Sequence, residues 1–489
     1  MNNFDIINIE EPEFQTFYSD KLKEITKNKL DKMDPGRDEQ KTVLGLIADF
    51  VKNKKRKIYG GYAWNKLFVD KDKKCAIYDE NDSPDIDFYS YEPLTDIMTI
   101  CDMLHEKGYK NIDAKEGQHK ETYRIYVNFQ LYCDLTYMPR NIYNNVRFLK
   151  IDGFHVTHPW FMTIDFFRML TDPMLSWWRF DKHFKRFLLL QKLYPLPKTK
   201  KPLMMEGYHD DKTETIINGI LELISKKNNI LVTGFYAYNY YVHETREKGE
   251  NKYIDIPYIE AYSDEYVKDG MEFIEKIKEL GDDITHKEFN PFFNLYDYNC
   301  VFYHKGNPIF YLYSNKKCLP FKRVNFIKFV DGEGIKQKGK INIGSFDMNI
   351  LQALIILVKV RVDDDKDWND VLYKLINGFV NLRNLYLRQN KIKAYDDSIV
   401  ASFVTDCMGN VMSSEKERGM LIQSRIKKKK PLVIRYKPGA DNKNFANYMF
   451  QNSSGNEIRN EKALKLVEHK KNESDDDNDN DNSDDDSNS

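Results

Sequence analysis

Two stretches decide the reading of this chain. One is Lys57-Ile58-Tyr59-Gly60-Gly61-Tyr62-Ala63-Trp64-Asn65; the other, 24 residues on from Gly60, is Pro84-Asp85-Ile86-Asp87-Phe88-Tyr89-Ser90. The first predicts a short strand that runs through two glycines into a helix beginning near Tyr62. Glycines at such a turn let backbone N–H groups approach phosphate oxygens, and a helix N-terminus favours negative charge. Gly60, Gly61 and Asn65 are therefore candidate nucleotide-binding residues. The second stretch alternates as a strand does. Residues i and i+2 of a strand project to one side, so Asp85 and Asp87 point together while Ile86 turns to the core. Adjacent carboxylates repel unless a cation lies between them. Mg²⁺ suits such a pair, because it takes one or two carboxylates plus substrate phosphate oxygens. A third carboxylate, Asp134, interrupts the apolar strand Leu131-Tyr-Cys-Asp-Leu-Thr-Tyr137, where an unpaired Asp is costly. With that strand beside the first, three carboxylates meet. Such a cluster can hold two Mg²⁺ or Mn²⁺ ions about 4 Å apart, one activating a hydroxyl and one holding a triphosphate. A Gly-Gly turn, a D-x-D pair or a strand Asp alone is usually structural; the ordered set points to nucleotidyl transfer.

Working outward, the pattern restarts. Helix is expected over 12–53, broken at Asp34-Pro-Gly36 and with one apolar face over Thr42 to Val51, another helix over Leu94 to Lys107, strands over Thr122 to Phe129 and Gln130 to Met138, and helix through 157–193. Tyr194 to Pro202, with three Pro and three Lys, reads as a linker. Beyond it a helix (Thr213 to Lys227) and a strand (Asn229 to Thr233) lead to Gly234-Phe-Tyr-Ala-Tyr-Asn239, which matches Gly60-Gly-Tyr-Ala-Trp-Asn65. Pro257-Tyr-Ile-Glu-Ala-Tyr-Ser263 then matches Pro84 to Ser90, with 23 residues from Gly to Pro against 24 in the first copy. Two strings in order at matched separation indicate an internal duplication. The copies differ where chemistry would sit: Gly61 becomes Phe235, Asp85 becomes Tyr258 and Asp87 becomes Glu260. Ile309 to Ser314, read as the counterpart of Leu131 to Thr136, has no carboxylate. The second copy is expected to fold without the chemistry. Residues 346–390 read as helical, and 391–472 as mixed and basic.

Charge follows the same division. The formal net charge of −1 hides nine acidic residues in 473–489; without them the chain carries 75 basic against 67 acidic residues, or +8. A tail of Asp, Asn and Ser buries nothing and is expected to be disordered, while a basic body suits polyanions. No stretch reaches the roughly 18 apolar residues of a membrane span, and Met1 to Glu11 lacks a signal-peptide pattern. Cys75, Cys101, Cys133, Cys300, Cys318 and Cys407 show no C-x-x-C spacing and read as reduced structural residues.

Tyr59-Gly60-Gly61, the pair Asp85 and Asp87 around Ile86, and Asp134 resemble the signature of the polymerase-beta-like nucleotidyltransferase superfamily. Within it the chain looks most like the viral poly(A) polymerase catalytic subunits of large cytoplasmic DNA viruses, of giant-virus and poxvirus type. Trp160-Phe-Met-Thr-Ile-Asp-Phe-Phe-Arg-Met-Leu-Thr-Asp-Pro173 resembles their post-catalytic helix, and a degenerate second copy is also a feature of that family. The resemblance implies an α+β fold: a nucleotidyltransferase domain with N-terminal helices (1–200), a degenerate nucleotidyltransferase-like domain (205–345), a helical and basic C-terminal region (346–472) and the acidic tail (473–489). It implies that Asp85 and Asp87 hold both metal ions, that Asp134 holds the one at an RNA 3′-hydroxyl, and that AMP passes from ATP to that hydroxyl with loss of pyrophosphate. It also implies residence in the host cytoplasm at the viral factory, packaging in the virion, and a homodimer or processivity partner. The residues between Gly61 and Asp85 exceed the spacing usual in the superfamily, so 66–83 reads as an inserted loop.

Arg179, Lys182 and Arg186 are candidates for RNA phosphates; Trp177 and Trp178 beside them suit either base stacking or, as the favoured reading, the core. Lys428 and Lys429, within the run Lys427 to Lys430, are further RNA candidates. Lys52, Lys54, Lys55, Arg56 and Lys57 suit either a polyanion or a solvated helix end, and His155 and His158 read as structural. Three other functions fit parts of the pattern: an adenylyltransferase for another acceptor, a D-x-D glycosyltransferase, and a non-catalytic RNA-binding virion protein.

Overall fold

The structure, a computed structural model, describes residues 20–26 and 36–446 apart from 80–81, 118, 120, 173, 175–176, 199–202, 204, 206, 246–252, 331 and 360–365. The expected acidic tail and most of the helical reading before residue 36 lie outside these residues.

The first unit opens with helix α1 (Gly36–Asn53), whose Val43, Ile47, Phe50 and Val51 are buried along one face. Strand β1 (Lys57–Tyr59) passes directly into α2 (Gly60–Lys71). Next come β2 (Asp87–Ser90), α3 (Pro93–Glu106), β3 (Asp113–Glu116), β4 (Thr122–Val127), β5 (Gln130–Tyr137), β6 (Phe148–Ile151), β7 (Phe154–Thr157), α4 (Pro159–Thr171) and α5 (Phe180–Leu193). The helix expected through 157–193 is thus two helices, α4 and α5, and α2 extends six residues into the presumed loop before the insertion leaves it.

The second unit repeats the series. It holds α6 (Asp211–Ser225), β8 (Ile230–Thr233), α7 (Phe235–Thr245), β9 (Ile259–Ser263), α8 (Tyr266–Leu280), β10 (Ile284–Phe289), β11 (Asn299–His304), β12 (Asn307–Ser314), β13 (Leu319–Val330), β14 (Glu333–Gly344), α9 (Phe346–Val358) and α10 (Lys366–Asn390). The first sheet has the strand order β3-β4-β5-β2-β1-β7-β6, and the second β10-β11-β12-β9-β8-β14-β13. Position by position the orders coincide, and so do the directions: β2 with β5 and β9 with β12 are parallel, as are β1 with β7 and β8 with β14, and the other pairs are antiparallel. Connectivity of this kind does not arise from chance likeness of two Tyr-rich strings.

The register corrects one detail. Tyr89 pairs with Thr136 as Tyr262 pairs with Tyr313. The counterpart of Asp134 is therefore Tyr311, one residue from the Leu312 that the string comparison selects. Leu312 occupies the buried place of Leu135, both fully enclosed.

A polar lock is also duplicated. In the first unit Ser90 Oγ donates to Asp96 (2.6 Å), Glu92 N donates to Ser90 Oγ (3.0 Å), and the buried Arg56 closes on Asp96 at 2.7 Å. In the second, Ser263 donates to Asp269, Glu265 N donates to Ser263 Oγ (3.1 Å), and Lys227 closes on Asp269 at 2.8 Å. Arg56 is thus a core residue, and so is Lys57, whose ammonium donates to the Tyr143 and Val146 carbonyls. Neither is free for a polyanion, which corrects the open reading of that basic run.

The first sheet has a core of its own, and the units are joined where Tyr89, Met138, Phe161 and Ile164 of the first pack into the cluster built on the second sheet. The remaining described residues strap across both. Strand β15 (Cys407–Met408) adds to β13, helix α11 (Ser414–Lys427) follows, and β16 (Arg435–Tyr436) adds to β3. Bidentate pairs, Arg425 with Glu116 and Arg435 with Asp113, fix the far end. The near end is bonded covalently, because Cys318 and Cys407 form a disulfide. This overturns the reading of all six cysteines as reduced. Partners 89 residues apart leave no spacing signal, and the β13–β15 pairing brings their Cα atoms to 5.1 Å. No helix among the described residues is long and apolar enough to cross a membrane.

Candidate active site

Strand pairing assembles the site. Tyr59, the last residue of β1, pairs with Asp87, the first of β2, so the Gly60 turn abuts that carboxylate. The parallel pairing of Phe88 with Leu135 sets Asp134 at the level of Asp87. Asp85 lies just before the ladder, held by Ile86, whose side chain is buried and whose N–H donates to Tyr132 O at 3.0 Å. One carboxylate oxygen from each of Asp85, Asp87 and Asp134 lies within 4.8 Å of the others. The sequence expectation that these three converge is met.

The cluster is short of positive charge. Burial, then the charges of Asp85 and Asp134, push Asp87 well above the usual carboxylate range, and Arg179 and Arg124 only oppose this. Burial also raises Asp134, against the pull of Arg124. Arg124 stands opposite Asp134 across the β4–β5 pair, with Nε 3.2 Å from Oδ1. Its N–H is aligned for Oδ2 (3.4 Å) and not for Oδ1, which is buried without a hydrogen bond. A buried carboxylate oxygen left open in this way has room for one more positive ligand. Arg124 was missed in the sequence, although a tight β4–β5 hairpin already places it opposite Asp134.

The glycines serve close approach. Gly60 has φ +70°, and a Cβ there would fall 1.9 Å from Asp87 Oδ2. A Cβ on Gly61 would fall 2.2 Å from the Tyr78 hydroxyl and 3.3 Å from Arg186 Nη1. Tyr78 belongs to the insertion, which folds back over the turn; Arg186 Nη2 donates to its hydroxyl at 3.3 Å. Asn65 tethers this loop, its Oδ1 accepting from Ile77 N at 2.8 Å, so its carboxamide oxygen is committed to the fold. Tyr59 lines the floor, stacked on Tyr89 at 4.2 Å, with its hydroxyl on Thr136 Oγ1 at 2.7 Å.

Of the RNA candidates, Arg179, Lys182 and Arg186 follow one face of α5 and its approach, and the charge or contacts of each bear on the site. Arg179 acts on Asp87 and Asp134, Lys182 feels Asp85 and Asp87, and Arg186 meets Gly61. Lys428 and Lys429 are exposed just after α11, on the strap that Arg425 ties to the β3 edge. Trp177 and Trp178 are exposed, against the core reading. His158 caps α4, its Nδ1 accepting from Trp160 N at 3.3 Å, and His155 stacks on Phe148, so both are structural as expected.

Residues 45–176 match the family "Poly(A) polymerase catalytic subunit", and residues 190–468 match "APMV, Putative poly(A) polymerase, catalytic subunit, C-terminal". A "Putative poly(A) polymerase catalytic subunit" of Acanthamoeba polyphaga mimivirus is 30% identical, over 87% of this chain and 79% of that protein. A protein of the same description from African swine fever virus (strain Badajoz 1971 Vero-adapted) is 30% identical over 32% of this chain and 34% of its own length. The crystal structure of the Megavirus polyadenylate synthase superposes with a TM-score of 0.75 at 28% identity, covering 91% of each chain. With the carboxylate cluster, the glycine turn and both halves of the chain accounted for, this protein belongs to the family of viral poly(A) polymerase catalytic subunits.

Proposed function

We propose that this chain extends RNA 3′ ends without a template, transferring AMP from ATP and releasing pyrophosphate. The observation that carries the reading is the convergence of Asp85, Asp87 and Asp134 beside a glycine turn that no larger residue fits. The clustering of the three carboxylates, the raised proton affinity of Asp87 and Asp134, and the open Asp134 oxygen fit a pair of Mg²⁺ or Mn²⁺ ions. Asp85 and Asp87 would hold both ions and Asp134 the one at the RNA hydroxyl. Such ions, when bound, supply charge neutralisation for a triphosphate and a more acidic attacking hydroxyl. The chain's own part is positioning. Arg124 fixes the Asp134 carboxylate, the Gly60–Gly61 backbone receives phosphate oxygens, and Lys182 and Arg186 flank them. The second unit, whose counterparts of the three Asp are Tyr258, Glu260 and Tyr311, serves as scaffold and RNA guide. The repeat pattern supports extending it from the 205–345 read in the sequence to the end of α10 at residue 390. The acidic tail, a second protomer or a processivity partner would act on the basic surface, and the place of action would be the host cytoplasm or the virion.

Primer extension with each of the four nucleotides and Mg²⁺ or Mn²⁺ tests the reading. Asp85→Ala and Asp87→Ala are each expected to abolish AMP incorporation while leaving the folded state intact. Near-normal extension by either would remove the assignment.

A further inference from the structure

Trp177 and Trp178 stand 65% and 56% exposed. Trp64 and Trp368 are buried, and Trp160 is half-buried between His158 and Tyr373. The two exposed indoles meet edge to face with centroids 6.1 Å apart, so their faces look in different directions. Apolar surface continues beside them. Phe180 stacks on Phe184 at 5.5 Å and meets Phe403 at 6.2 Å, and Phe184 and Phe403 are 41% and 57% exposed. Cations interleave with these rings, namely Arg179, Lys182, Lys185 and Arg186.

The direction of α5 tells which substrate passes here. Arg186, toward its C-terminal half, lies against Gly61, at the triphosphate end of the site. The charge of Lys182 bears on Asp85 and Asp87, and that of Arg179 on Asp87 and Asp134. The seven steps from 179 to 186 span about 10 Å, so the cationic row is long enough to flank the whole cluster, with Arg186 at its glycine-turn end. Trp177 and Trp178 directly precede Arg179 in one helical turn (Trp177–Arg179), so they continue the row at the end remote from Arg186 and the glycine turn.

Alternating cations and exposed aromatic faces are how proteins hold single-stranded nucleic acid: the cations track phosphates and the rings stack bases. A protein partner fits this surface less well, because covering it would bury four cations. We propose that Trp177 and Trp178 form a stacking platform for the bases of the RNA strand just upstream of its 3′ end, with Arg179 on its backbone. The proposal rests on the reading of this chain as an RNA 3′-end polymerase and adds the acceptor subsite to it.

An oligo(A) primer ending in a 3′-deoxynucleotide, which cannot be extended, is titrated against the full chain while tryptophan emission is followed. Quenching that weakens steeply with salt is expected, and ATP alone should leave the emission unchanged. The double variant Trp177→Ala/Trp178→Ala should keep its fold by circular dichroism and its KM for ATP. Its KM for primer should rise about 10-fold or more, since stacking on each ring is worth roughly that. Trp177→Phe/Trp178→Phe should recover most of the loss. A wild-type chain that extends RNA, paired with a double Ala variant of unaltered primer KM, overturns the platform and leaves the polymerase reading in place. Quenching by ATP and not by primer overturns it in favour of the nucleotide base. A shift in mass by light scattering with unaltered primer KM overturns it in favour of a protein contact. A wild-type chain that extends no RNA removes the polymerase reading itself, and the platform falls separately if the blocked primer also fails to quench.

Discussion

Gly60→Ala separates the chemistry of the first unit from its stability, because the duplication supplies a control. The new Cβ would lie 1.9 Å from Asp87 Oδ2, 2.9 Å from Cγ and 3.1 Å from Cβ. Rotating the Asp87 side chain relieves the first two contacts and cannot move Cβ, so β2 itself must retreat. The left-handed φ of +70° adds about 1–2 kcal/mol for any residue with a side chain. A carboxylate displaced by about 1 Å costs on the order of 100-fold in rate. Gly234→Ala imposes the same φ of +70° and sets its Cβ 2.2 Å from Glu260 Oε2, with Cδ at 3.3 Å and Cγ at 3.7 Å. There the longer side chain can swing aside, giving up its bond from Gln352 Nε2 (2.9 Å). Both variants should lose about 1–3 kcal/mol of stability, read from urea unfolding. Initial rates of primer extension, corrected for folded fraction, should fall about 100-fold or more for Gly60→Ala and stay unchanged for Gly234→Ala. Normal rates in Gly60→Ala would refute the close-approach argument. Equal loss in both folded variants would refute the view that the second unit takes no part in the chemistry.

Two further outcomes are expected. Burial, with the charge of Arg147, pushes the His158 imidazole down to about 4. The folded chain therefore binds fewer protons than the unfolded one between pH about 6.5 and 4, and this capping interaction loses about 1–3 kcal/mol as pH falls through that window. His158→Ser, which installs the cap that Ser345 provides on α9, should remove that share of the acid sensitivity in denaturant melts at pH 7 and pH 4.5; an unchanged pH difference would show that His158 is not its source. Cys318→Ser should lower stability by about 2–4 kcal/mol, the usual worth of a disulfide closing a long loop, and wild type under strong reductant should match it. Equal melts in oxidising and reducing buffer would remove the clasp.

Much of the site was legible because its signals are local. Gly60-Gly61 and Asp85-Ile86-Asp87 state their geometry within a few residues, and alternation fixes which side chains share a face. Asp134 needed only one assumption, that its strand lies beside β2. The features that were not legible depend on long-range pairing. Arg56 looks like part of a solvated basic run until α3 brings Asp96 against it. Cys318 and Cys407 acquire each other only through the strap. Trp177 and Trp178 looked like core because tryptophan usually is, and only the folded chain shows them exposed. The one-residue slip in matching Asp134 to the second unit has the same origin: similar apolar strings admit two alignments, and the ladder admits one.

The second unit shows what the first requires. Glu260 stands where Asp87 does, against a glycine of the same φ, yet it is buried and bonded by Gln352, which also accepts from the Tyr262 hydroxyl. Gln352 lies seven residues past the cap of α9, and Asp165 lies seven past the cap of α4. One unit therefore places an amide donor toward its carboxylate, and the other places a fourth acid, half-exposed and paired with Arg168 at 3.4 Å. Tyr258 and Tyr311 likewise replace acids with neutral rings. A fold that needed only a stable strand end could have kept the amide and the tyrosines in both copies, since a bonded neutral network is cheaper than clustered charge. Asp85, Asp87 and Asp134, clustered without a bonded donor for each oxygen, suit a divalent cation arriving from outside the chain, in keeping with the metal use the family implies.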